Sequence, residues 1–169
     1  MRNVATTLAF VGLTMASCAA PQPVSAPTPP VIGFRACSSD ETAMVKERFV
    51  VWNRALAQGQ EGAPVVALYD TRATLLPTLE VGPYTKGHGI EQYFKTFVAK
   101  GPSGAIEESA RTILCGDGVA VDSGLYTFTF KKGPPAKARY TYIYRINGKE
   151  WTIMHHHSSV EPPPTHAKK

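Results

Sequence analysis

Residues 138–160 read ARYTYIYRINGKEWTIMHHHSSV. Side chains on a β-strand point to opposite faces in turn, so a period of two marks a strand with one face buried. Asn-Gly between two such runs is the strongest short hairpin signal. The stretch therefore predicts two long antiparallel strands, 138–146 and 151–160, turning at Asn147-Gly148. Upstream, the same period predicts strands over 105–114 and 118–130, separated by the turns at 115–118 and 131–135. Four consecutive segments of this kind form a meander.

Before residue 100 the period is 3.6. Ser38 and Glu41 have the spacing of a capping box. Met44, Val45, Arg48, Phe49, Trp52 and Leu56 recur at three- and four-residue intervals up to Gly59, which predicts an amphipathic helix. Pro64 suits the first turn of a short second helix running to Tyr69. Residues 73–76 are strand-like and stop at Pro77. Ile90, Tyr93, Phe94, Phe97 and Val98 mark a third helix, ended by Gly101. Helices followed by long strands predict an α+β layer fold, a curved, mostly antiparallel sheet wrapped around helices. Such a cone encloses a hollow suited to a small ligand.

The ends of the chain read differently. Arg2, the apolar run from Val4 to Ala16 and the box Met15-Ala16-Ser17-Cys18 resemble an export signal over 1–20. Cys18 is either the acylated residue of a lipoprotein, giving a lipid anchor on the membrane, or without a role beside a plain secretory cut; both readings stand open. The apolar run is shorter than the ~20 residues that cross a bilayer. Residues 21–36 are a proline-rich linker, 37–162 the folded domain, and 163–169 a polar tail. Export implies a periplasmic location, where Cys37 and Cys115 are expected to pair. With a net charge of +5 spread along 169 residues, the chain lacks the basic footprint of a nucleic-acid binder.

Candidate chemistry gathers in 151–159. Unbroken alternation puts Trp151, Ile153, His155, His157 and Ser159 on one face, and the apolar pair marks that face as the interior. Three readings of the histidines remain open. They form an acid/base and hydrogen-bonding pocket, they hold a metal, for which two His one residue apart lack an obvious third ligand, or they are satisfied core residues. Thr78 after the strand and Tyr93 on the third helix are further polar groups in apolar settings. Phosphate loops, CxxC pairs and GxSxG elbows are absent from the sequence. Asp70 and Asp122 are the acids nearest to an Asp/His pair, and neither has a supporting motif.

Three stretches together resemble a known family: Arg48-Phe49-Val50-Val51-Trp52-Asn53; Leu75-Leu76-Pro77-Thr78 leading to Ile90-Glu91-Gln92-Tyr93-Phe94; and Ala138-Arg139-Tyr140-Thr141 leading to Trp151 and His155-His156-His157-Ser158-Ser159. They are similar to the iota-class carbonic anhydrases, whose domain is like the association domain of calcium/calmodulin-dependent protein kinase in the nuclear-transport-factor-like cone superfamily. The resemblance covers about 37–162. It implies reversible hydration of carbon dioxide to bicarbonate in a homodimer, with Thr78, Tyr93, His157 and Ser159 lining the bicarbonate site, His157 accepting a proton and His155 orienting the network. Metal-free and metal-dependent members are both known; the reading here is metal-free, with zinc or manganese as the alternative. Where relatives carry an Arg-containing turn, this chain has Glu80 to His88. A non-catalytic ligand-binding or dimerisation cone is the other reading of the same scaffold.

Overall fold

The computed structural model describes residues 33–163. Residues 1–32, on which the expected export signal, Cys18 and most of the expected linker fall, and residues 164–169 of the expected tail lie outside the described residues. The element order is β1 (Arg35–Ala36), α1 (Ser39–Ala57), a 3-10 turn (Gln60–Gly62), α2 (Ala63–Val66), β2 (Tyr69–Leu76), β3 (Tyr84–Thr85), α3 (Ile90–Ala99), β4 (Ser103–Ile106), β5 (Thr112–Gly116), β6 (Val119–Thr129), β7 (Ala136–Asn147) and β8 (Glu150–Val160). The α+β class is as expected. One curved sheet runs β1-β5-β6-β7-β8-β2-β3, with β4 also on β6. Every pairing is antiparallel except β2 with β8.

Helix α1 begins at the expected capping box, Ser38 accepting from the Glu41 amide and the Glu41 carboxylate from the Ser38 amide. One face of the helix buries Val45, Phe49, Trp52, Ala55 and Leu56 against the concave sheet. Each large side chain so removed from water contributes roughly 1.5–3 kcal/mol. Trp52 sits at the centre, with Phe94, Phe128 and Tyr142 edge-on at 6.2, 6.1 and 5.8 Å. Gly62 lets the 3-10 turn lie on α3: its φ is +83°, and a Cβ there would stand 2.8 Å from Phe94.

Three expected bounds shift. Tyr69 opens β2 rather than closing a helix, because Asp70 to Leu76 are recruited beside β8. The single strand expected over 105–114 is two, β4 and β5, split by a 3-10 turn at Glu108–Ala110. That turn steps the chain from the Tyr126–Thr129 end of β6 to its Val119–Ser123 end. Arg35–Ala36, read as linker, pair with Leu114 and Cys115. The adjacent Cys37–Cys115 disulfide is formed, and a loop of 78 residues contributes on the order of 4 kcal/mol by restricting the unfolded chain. On the open side of β4, the Asn53 amide of α1 accepts from the Gly104 N–H at 2.8 Å and donates to its carbonyl at 3.1 Å, imitating a neighbouring strand.

Candidate functional site

Strand β8 does not keep its period. On β7, Ala138, Tyr140, Tyr142 and Tyr144 point inward and are buried. Their partners on β8 are Val160, Ser158, His156 and Ile153. Between Ile153 and His155 the register slips, so that Met154 is an extra residue opposite one step of β7. This is a β-bulge, and it reverses which side chains face the core from that point on. The expectation that His155, His157 and Ser159 face the hollow is corrected here. They lie opposite Ile143, Thr141 and Arg139 on the outer face, while His156 and Ser158 take the inner positions.

Thr78 and Tyr93 stand where expected, on the wall of a cavity of about 340 Å³ that His156 and Ser158 also line. The Oγ atoms of Thr78 and Ser158 are 2.5 Å apart, and the Tyr126 hydroxyl donates to Ser158 Oγ at 2.6 Å. Three hydroxyls carry three hydrogens, and two bonds join them. Whichever way the Thr78–Ser158 bond runs, one O–H is left over for a ligand. Tyr126, buried on β6, was not foreseen. Counting inward positions along that strand from Ala120 would have found it.

His156 is only 3% exposed. Its ring stacks on Tyr142 at 4.1 Å and meets the edge of Trp52 at 5.6 Å. Trp52 Nε1 donates to the Tyr69 hydroxyl at 3.2 Å, and that hydroxyl is 2.7 Å from His156 Nδ1. Already accepting from the indole, Tyr69 has its own hydrogen to place, and Nδ1 is the acceptor in reach. The imidazole is thereby held as the tautomer with hydrogen on Nε2. Nε2 has no protein partner, and a buried N–H without one is an unfilled donor.

Burial, then the neighbouring His155 and His157, push the His156 pKa down to about 3. The ring is therefore a neutral donor at ordinary pH. Burial, with Tyr126 and Glu80 adding, holds the Tyr93 phenol above its usual value, so it too stays protonated. The low imidazole pKa makes stability pH-dependent. The unfolded ring, near 6.5, takes up a proton that the folded ring refuses, so this part of the stability is intact above 6.5 and falls as pH drops towards 3. His155, lowered by burial and then by His157, acts in the same direction. A loss of about 2 kcal/mol by about pH 5 is expected from His156 alone. Denaturant midpoints across that range check this, and His156→Gln should flatten most of the slope.

The two acids named from the sequence are taken up elsewhere. Asp122, fully buried, accepts from Arg111 at 3.0 and 2.7 Å and from the Tyr140 hydroxyl at 3.0 Å. Asp70 binds Arg145 and Thr152, and the hydrogen bond from the Arg72 amide, aided by the Arg145 charge, outweighs burial and keeps its pKa low. Neither pairs with a histidine. Among the described residues, no three His, Cys, Asp or Glu side chains gather as a metal-binding group. His156 Nδ1 is already bonded to Tyr69, and the outer pair His155 and His157 lacks a third donor. The side chains do not fit a zinc or manganese centre.

No curated protein sequence matches the chain. A solved structure from Xanthomonas campestris, described as a calcium/calmodulin dependent protein kinase II association domain, is 40% identical over 70% of this chain and 86% of its own, with a TM-score of 0.65. An NTF2-like protein of unknown function from Pseudomonas putida KT2440 shares the fold at 15% identity and a TM-score of 0.62, over 79% of this chain and 95% of its own. A cystatin-like protein of unknown function from Nostoc punctiforme does so at 12% and 0.61, over 74% and 94%. The family profile for the calcium/calmodulin dependent protein kinase II association domain matches residues 41–162, nearly the whole folded part, and the chain belongs to that family.

Proposed function

We propose that this domain interconverts carbon dioxide and bicarbonate without a metal, as the resemblance to the iota-class carbonic anhydrases implies. The observation that carries the reading is the surplus of donors on residues that line one cavity. The His156 Nε2–H has no partner, the Thr78–Ser158–Tyr126 set has an O–H to spare, and the Tyr93 phenol stays protonated. Neutral N–H and O–H donors of this kind suit an oxyanion whose charge develops during reaction. Carbon dioxide would lie with its oxygens towards these donors, and attack by water would turn one of them into the bicarbonate oxygen that they stabilise. His156 serves here as a donor rather than a base, the role that the sequence reading gave to His157. Export to the periplasm and assembly as a homodimer belong to the same proposal, resting on the leader-like N-terminus and on the family.

The other reading is a binding module for a small lipophilic ligand. Phe97, Phe128 and Phe130 line the same cavity, and its roughly 340 Å³ exceeds what bicarbonate fills. Stopped-flow hydration of carbon dioxide by chelator-treated protein separates the two. Turnover proportional to protein concentration supports the enzyme; a rate equal to that of buffer alone leaves the binding module.

A further inference from the structure

Hydration of carbon dioxide, the reaction on which this inference rests, creates a proton that the donor wall cannot take. The water oxygen forms a bond to carbon, one C=O π pair becomes the bicarbonate O⁻, and an O–H bond of that water must break. On His156, Nδ1 is engaged by Tyr69 and Nε2 carries hydrogen. Tyr93 and Tyr126 are phenols held above their ordinary pKa chiefly by burial. Lys100 and Lys137, also on the wall, are ammonium donors that offer no acceptor. Of the described residues lining the cavity, Glu80 alone bears a carboxylate.

Glu80 also borders two outer hollows, one with His157 and Ser159, the other with Tyr84 and Gln92. It thus stands on a wall shared by the cavity and the solvent side. Two features hold it there. Leu79, between Thr78 and Glu80, has φ +59°, a left-handed turn that a bulky residue adopts only under constraint. The Tyr84 hydroxyl donates to Glu80 Oε2 at 3.3 Å. The Tyr84 ring lies so close over Gly89 that a Cβ there would come within 2.6 Å of it.

We propose that Glu80 accepts the proton released by the attacking water and hands it to solvent or buffer, regenerating its carboxylate each turnover. Atoms balance without any co-reactant: carbon dioxide and water give bicarbonate and one proton, carried transiently on Glu80.

The test is Glu80→Gln, nearly isosteric at an exposed position, assayed for carbon dioxide hydration beside the wild type. In weakly buffered solution kcat and kcat/KM for carbon dioxide are both expected to fall at least tenfold, on the scale of general-base catalysis. Added imidazole, able to accept the proton itself, should restore most of kcat in the variant and little in the wild type. An active wild type with an unaffected variant, or a loss that imidazole does not repair, overturns the role of Glu80 and leaves the reaction standing. A wild type without turnover overturns both.

Discussion

Asp122→Ala is expected to destabilise the domain by about 3–5 kcal/mol, the cost of leaving a buried charge without its partner. Asp122 is fully buried, and it accepts three hydrogen bonds, two from Arg111 and one from Tyr140. Burial alone would push the Arg111 guanidinium down, but the bonds and charge of Asp122 outweigh this and keep it above its ordinary value. Removing the carboxylate takes away that compensation and leaves the Tyr140 hydroxyl unpaired as well. Glu108, 2.7 Å from Arg111 but half-exposed, replaces little of it. Replacing both partners, as in Asp122→Leu with Arg111→Met, should recover most of the loss, because two apolar groups need no partner. Urea or thermal unfolding of Asp122→Ala and of the double variant measures this. A double variant as unstable as Asp122→Ala would mean that the cost lies in packing and not in the orphaned charge.

The second large effect separates neighbours along one strand. His156→Ala is expected to lower carbon dioxide hydration by about a hundredfold or more, the range for losing one preorganised donor at a developing oxyanion. Ser158→Ala should have a smaller effect in the same direction, since Thr78 and Tyr126 remain. His157→Ala and Ser159→Ala, on the outer face, should leave turnover near that of the wild type. Steady-state hydration rates of the four variants, with circular dichroism to check folding, decide the matter. The reverse ranking would mean that the outer face carries the chemistry.

That contrast also marks where the sequence is readable and where it is not. Helix α1 is legible because its cap, its apolar stripe and its terminating glycine agree with one another. The α+β class follows from the change of period near residue 100. Thr78 and Tyr93 are placed correctly because each depends only on local context, a strand end and a helix face. Alternation within 151–159 misleads because the bulge at Met154 is fixed by partners distant in sequence. Tyr144 and Ile143 of β7 on one side, and β2 on the other, set the slip, and nothing in Ile-Met-His announces it. Tyr69 is hidden for a similar reason, its role in orienting His156 arising only when β2 lies parallel to β8. The split of β4 from β5 depends on where two separate segments find room along β6.

The finish of the sheet has a consequence for crowded solution. At one rim the last strand is Arg35–Ala36, at the other it is Tyr84–Thr85, and beside β4 the Asn53 amide occupies the main-chain groups that a newcomer would use. Among the described residues the two rim strands are each only two residues long, short templates for further growth. Short rims of this kind disfavour fibril-like stacking by strand addition and leave the side chains of the outer face and the helices as the surfaces through which copies meet.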